Sequence, residues 1–492
     1  MNNNQQSYHR LIAQLRHCAG EAEVKQVLNS YLELNTSELL EVMAQEVEGL
    51  RDNMDWDGAN SLLSLALEVG DVLGSSEREV SLRKEIGDFL SKMGRREYEV
   101  SQFSWAVQFY ELTLRIYREI KDRPGEVDAI NGLGNSYRFL RERERATALF
   151  QESLAIAREI EYGQGEVDGL YGLGAMEHFL GEYESAKAYV QEALTIAEAI
   201  GYTKGKANAF DGLGHVCGGL GEYEEAINFY QQSLPIFREI KDRKEEASVL
   251  NNLGAAYYSL GKYETAINFY QQSLRICQEL KYRKGEAYVL NNLGLDYNSL
   301  GQYETAINFF QQSLPIYREI KDRKEEANVL KNLDDAYYSL GQHKRRIDVL
   351  KQSLPIKQEL KDRKGEASVL NNLGVAYHHV GQYEKAINFY QQSLSINQEL
   401  KDREGEANVL NNLGYAYDNW GQYETAINFY QQSLPISRKI KNREYEVCVL
   451  NNLGVAYYKL AQYERAINSY QRSLPISREI KNREYEVCVL NN

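Results

Sequence analysis

The chain has 492 residues, with 57 Lys and Arg against 71 Asp and Glu and a formal net charge of −14 at pH 7, so its average surface repels phosphate and a nucleic-acid role would need a local basic patch. With 26% charged and 43% hydrophobic residues it reads as a water-soluble chain. Neither MNNNQQSYHR nor any apolar run of about 18 residues suggests a secretory leader or a membrane span. Five scattered cysteines (Cys18, Cys217, Cys277, Cys448, Cys488) form no CxxC pair. That argues for a reducing, cytoplasmic setting and against a disulfide framework or zinc site.

In chain order, residues 1–75 lack any period and are expected to form about four helices. These cover 8–18, 21–33, a third capped by Thr36 or Ser37 (SELLEVMAQEVEGL) and a fourth over ANSLLSLALEVGDVL. From about residue 76 onward the chain repeats. NNLGAAYYSLGKYETAINFYQQSL from Asn251 returns as NNLGVAYHHVGQYEKAINFYQQSL from Asn371, and Leu-Gly pairs begin at 133, 173, 213, 253, 293, 373, 413 and 453. Leu333 holds the phase with Asp334 in place of Gly, and a degenerate copy centres on Ile86-Gly87, with seven extra residues placed around RREYEVS (95–101). The domain reading is thus a helical region over 1–75 and about ten 40-residue repeats over 76–492.

Within one copy, Ala367, Leu370, Leu373 and Tyr377, then Tyr383, Ala386, Ile387, Tyr390 and Leu394, follow three- and four-residue spacing. Each copy is therefore predicted to be two amphipathic helices, separated at Gly381 and ended by the charged KDREGE segment (401–406). Gly374 and Ala386 are the small residues where the two helices approach. A single hairpin cannot bury both faces, so hairpins must stack into a solenoid. Pro235, Pro315, Pro355, Pro435 and Pro475 share one position inside the second helix and predict a bend there. In the copy around Leu333 both small residues are replaced, by Asp334 and Arg346, which predicts an ion pair between the two helices or a merely degenerate copy. Residues 481–492 repeat 441–452 and stop before the next Leu-Gly, so a truncated last helix, a fragment and fraying terminal turns are expected.

Leu370, Leu373-Gly374, Tyr377, Ala386 and Tyr390, at those spacings, resemble the tetratricopeptide repeat, with Leu where many members have Trp and Tyr where they have Phe. The longer pattern LG…Y…LG.Y..AI..Y..SL is similar to the repeats of Pins-type scaffold proteins and kinesin light chains. The resemblance implies an all-α, right-handed superhelical solenoid of helical hairpins behind a small N-terminal helical segment. It also implies a concave groove, lined by the first helices, that receives a polypeptide. A non-periodic helical segment before a 40-residue array is similar to the N-terminal region of many cyanobacterial tetratricopeptide proteins. Several of those carry a CHAT protease domain beyond the repeats, which offers a second reading: the regulatory or sensor portion of a larger enzyme.

Catalytic motifs are missing: there is no P-loop, GxSxG, HExxH or GxGxxG opening a helix after a strand. His378 and His379 diverge by about 100° on a helix and make a poor chelate, and Cys448 and Cys488 are equivalent repeat positions rather than a redox pair. No enzyme activity, cofactor or metal is expected. The KDRKGE-type loops read as solvated charges. Matching the family pattern puts Asn252, Asn292, Asn332, Asn372, Asn412 and Asn452 where many members bond a ligand backbone, with Gly132, Gly172 and Gly212 at that position in earlier copies. Tyr258, Tyr338 and Tyr458, with His378 and Asp418, lie beside them. Lys331 and Lys459 stand isolated, so a clamp for a C-terminal carboxylate is not expected. The expectation is a non-catalytic scaffold that binds a protein or peptide, with no nucleic acid and no membrane. The alternative for the Asn row is that it bridges adjacent repeats.

Overall fold

Among the residues that the computed structural model describes (3–15, 77–99 and 102–480, with 26, 27 and 42 besides), every regular element is an α-helix. α1 covers Asn3–Leu15. The repeats follow as pairs: α2 (Glu77–Glu99) with α3 (Phe103–Glu119), α4 (Arg123–Phe139) with α5 (Arg143–Glu159), and α6 (Gly163–Leu180) with α7 (Tyr183–Ile200). Next come α8 (Thr203–Leu220) with α9 (Tyr223–Glu239), α10 (Arg243–Ser259) with α11 (Tyr263–Glu279), and α12 (Arg283–Ser299) with α13 (Tyr303–Glu319). The remaining pairs are α14 (Arg323–Ser339) with α15 (His343–Glu359), α16 (Arg363–His379) with α17 (Tyr383–Leu400), α18 (Arg403–Asn419) with α19 (Tyr423–Lys439), and α20 (Arg443–Lys459) with α21 (Tyr463–Glu479). The chain is an all-α repeat solenoid. Its contacts divide it into two units, 1–256 and 257–492. Of the expected second and third N-terminal helices only 26, 27 and 42 are described, all helical, and the expected fourth helix and the terminal segment 481–492 lie outside the described residues.

Of the seven extra residues of the first copy, 95–99 lengthen a helix. α2 has 23 residues against 17 in α4, and it runs on through Glu99. In most hairpins the Leu-Gly glycine faces an aromatic ring of the second helix, whereas Gly174 faces Val190. A Cβ at Gly374 would stand 2.5 Å from the Tyr390 ring, and one at Gly134 would stand 2.7 Å from Phe150. The close approach predicted at Gly374 is therefore ring against backbone, and Ala386, fully buried, completes it. Beside these rings a buried serine ties the second helix to the first: Ser313 Oγ donates to the Ala287 carbonyl (2.8 Å), as Ser393 does to Ala367 and Ser433 to Ala407. The five prolines sit two residues further on, exposed, and the helices carrying them keep the full 17 residues. Each helix continues through its proline, which leaves the carbonyl four residues back without that donor.

The charged loops are not merely solvated, and that expectation is corrected. In KDRKGE (361–366) Lys361 takes a left-handed φ of 54°, ending the preceding helix where glycine would be easiest. Asp362 then caps α16, its carboxylate accepting from the Gly365 N–H at 2.9 Å. Arg323 and Glu326 show the rest of the device. The Glu326 carboxylate, 3% exposed, accepts from Arg318 of the preceding helix (2.8 Å) and from Arg323 of its own first turn, while Arg323 reaches on to Glu359 (2.8 Å). The same clamp recurs at Glu126, Glu246 and Glu446. Sequence proximity of opposite charges suggested self-cancelling loops, but burial of Glu126, Glu246, Glu326 and Glu446 makes each of those junctions a specific tie between hairpins.

In the copy around Leu333 the ion pair forms. Arg346 Nε lies 2.7 Å from Asp334 Oδ1 and Nη2 lies 3.4 Å from Oδ2, with both side chains at most 5% exposed. First helices of successive hairpins touch within each unit, most extensively along α4, α6 and α8. There Gly132, Gly172 and Gly212 leave no Cβ, and rings press on the bare backbone: Tyr110 at Gly132, Phe150 at Gly172 and Tyr171 at Gly212.

Candidate first-helix groove

Within unit 257–492 the candidate amides fall on equivalent turns of α12, α14, α16, α18 and α20, all partly buried. Their donors point to the preceding hairpin. Asn332 Nδ2 donates to Asn291 Oδ1 (2.9 Å), Asn372 to Asp334 Oδ2 (3.1 Å), Asn412 to Asn371 Oδ1 (2.9 Å) and Asn452 to Asn411 Oδ1 (3.0 Å). Asn292 is hydrogen-bonded to Tyr288. Within the other unit, Asn252 donates to Asp211 Oδ1 (3.2 Å). An amide that donates sideways still has a carbonyl oxygen, so the row joins repeats and lines a face at once.

The tyrosines point outward. Tyr338 and Tyr458 are 53% and 58% exposed, and Tyr458 meets Tyr463 edge-on at 5.6 Å. Tyr258 is less open, with its hydroxyl 3.2 Å from Ser299 Oγ and its ring 5.5 Å from Tyr263. Two exposed rings were missed, Tyr288 and Tyr415. Tyr288 precedes Asn292 by one turn and Tyr415 follows Asn412 by three residues, so extending the helical wheel from each Asn would have found both. His378 stands between Tyr383 and Tyr415, with ring centroids 5.4 and 4.9 Å away. Burial, with the neighbouring His379, pushes it down to about 4, so it is neutral at pH 7. His379 stacks on His343 at 4.3 Å rather than chelating with His378. Lys459 is not isolated, since its Nζ lies 2.6 Å from Asp418 Oδ2.

The first-helix face of unit 1–256 has different chemistry. The Tyr162 hydroxyl bonds Asp128 (3.2 Å), and Tyr202 bonds Asp168. Burial pushes Asp128 up to about 6, and burial together with the Asp128 charge pushes Asp168 up to about 7. Burial opposes the charged form of His215, but the adjoining Asp211 carboxylate, 3.4 Å away, more than offsets it. Among the described residues one trio of potential metal-ligating groups has all its ligand atoms within 4.8 Å, namely Cys217, Glu222 and Glu225. Burial holds the Cys217 thiol up to about 11, and Lys187 lies 3.9 Å from Glu222. Among those residues no helix is long and apolar enough to cross a membrane.

The family model for the tetratricopeptide repeat matches residues 167–239, 207–279, 245–319, 285–359, 365–439 and 421–479, and a second model of that description matches 127–161. None of the curated proteins compared is a match. Among solved structures, a signal transduction ATPase (STAND) with a tetratricopeptide repeat sensor from Pyrococcus horikoshii is similar at 14% identity and a TM-score of 0.52. The match covers 98% of this chain and 70% of that one. The apo form of RapI is similar at 16% identity and TM-score 0.51, covering 73% of this chain and 99% of that one. At these identities the likeness is one of fold. The tetratricopeptide repeats themselves support a protein-interaction role.

Proposed function

Because the chain belongs to the tetratricopeptide repeat family, we propose that it is a non-catalytic scaffold whose first-helix face in unit 257–492 binds an extended or helical polypeptide. The observation that carries this reading is the row of exposed rings, Tyr338, Tyr415 and Tyr458, beside amides whose donors already hold the backbone scaffold in place. Rings with a polar tip suit a surface that is wet when empty and dry when filled. Carbonyl oxygens of the Asn row can accept a ligand's peptide N–H. Asn292, Asn332, Asn372, Asn412 and Asn452 thus serve two roles, and Asn252 serves the same roles in unit 1–256. No nucleic acid, cofactor or metal takes part, and the array is taken to begin near residue 76.

A random-peptide display library panned on the purified chain tests this. Selected peptides should bind the triple variant Tyr338→Ala, Tyr415→Ala, Tyr458→Ala at least tenfold more weakly, while its melting curve stays within a few degrees of the parent. Peptides that bind the triple variant as well as the parent would place the site elsewhere. A sensor portion of a larger enzyme is the second reading, favoured by the near-complete coverage of this chain by the Pyrococcus horikoshii protein that carries such a sensor. A folded effector domain encoded in the same reading frame would support it.

A further inference from the structure

Asp296 has the surroundings of a hydrophobic residue. It is 0% exposed, and neither carboxylate oxygen has a hydrogen-bond partner. With Val289 and Leu293 it forms the i, i+4, i+7 stripe of α12. Val289 and Leu293 pack in one core with Ala266 and Tyr270 of α11. Later copies carry Ala336, Ala376, Ala416 and Ala456 at the Asp296 position. An ionised carboxylate there has lost its water and gained neither donor nor cation, whereas a protonated one is only a small polar group.

We propose that Asp296 is a proton-operated latch on the α11–α12 contact: protonated, it lets the stripe close, and ionised, it loosens α12 against its neighbours. The groups around it do not oppose this. On α11 the facing ionisable group is the Tyr270 phenol, pushed up by burial and then by Asp296 itself, with Tyr288 of α12 and Tyr258 acting on Tyr270 in turn. Glu325 of α14 acts on Tyr288, not on Asp296. No charged group of α12, α13 or α14 offsets the burial, which is the sole influence on Asp296 and pushes its carboxyl up to about 7. The folded-state value lies above the unfolded one. Its full contribution is therefore present below about pH 4 and is lost as pH rises to about 7, after which the penalty is constant. Over that window the closed-to-open ratio changes by up to about tenfold per pH unit. The inference stands apart from the groove reading, although α12 also carries Tyr288 and Asn292.

Hydrogen exchange of the full chain between pH 5 and 8.5, corrected for intrinsic exchange, reads the latch directly. Protection of 283–299 should fall severalfold to tenfold per unit up to about pH 7 and then level off. Asp296→Ala, which restores the residue of the other copies, should make that profile flat, and so should Asp296→Asn, which keeps the shape but cannot ionise. A parent profile that is already flat, or variants that fall in parallel with the parent, would overturn the latch.

Discussion

Seven lysines that close second helices, Lys121, Lys241, Lys281, Lys321, Lys361, Lys401 and Lys441, hold φ between 53° and 59°, a region where a Cβ meets the carbonyl and costs roughly 1 kcal/mol. Glycine fills the matching turn inside the hairpins, at Gly301 and Gly341 for example. Lys321→Gly is thus expected to stabilise the array by about 0.5–1 kcal/mol, read as a raised denaturation midpoint. The Asp334–Arg346 pair is a second residue-scale case. Removing either partner leaves a charge buried, so Asp334→Gly or Arg346→Ala alone should destabilise by about 3–5 kcal/mol. The double variant, which restores the small residues of the other copies, should recover most of that. Strictly additive losses would mean that the two side chains do not support one another. Asn372 also donates to Asp334, so Asp334→Gly removes one tie to the next hairpin as well.

At the scale of elements, the junctions at Glu126, Glu246, Glu326 and Glu446 assign their residues separate jobs: Lys ends a helix, Asp or Asn caps the next, and Arg from both sides holds a buried Glu, while at Glu366 Gln358 stands in for the preceding Arg. Asp362→Ala should therefore weaken α16 by about 1 kcal/mol. The hydrogen bond from Lys357, followed by the Gly365 N–H, holds the Asp362 carboxyl below its ordinary range. Its contribution is then present above about pH 4 and fades as pH falls through the lowered value, so the gap between parent and variant measured at pH 7 should shrink by pH 3. A gap that is unchanged at pH 3 would show that the cap acts by shape alone. The Glu clamp was not legible in the sequence, because its partners include the residue eight positions back and only burial distinguishes it from a surface pair. The hairpins themselves were legible, because glycine, alanine and aromatic positions recur every 40 residues and each fits one local contact.

On the scale of the molecule, the two units present different faces. Unit 1–256 offers carboxylates held up by burial, Asp128 and Asp168, whereas unit 257–492 offers amides and open tyrosines. Both aspartates are raised in the folded state, so their contribution is full below about pH 4 and is lost as pH climbs to about 7. Exchange protection of α4 and α6 should therefore be greater at pH 5.5 than at pH 8, and Asp168→Asn should reduce the difference. The repeating period, the hairpin and its ring-on-glycine core were set by the sequence itself, since they depend on neighbours within one copy whose spacing is written out ten times. What the amides bond, which loop charge is buried, and that Asp296 stands without a partner were decided only in the tertiary structure. Those contacts join different copies, and a free energy that depends on water being excluded between two hairpins has no signature in the order of residues along either one.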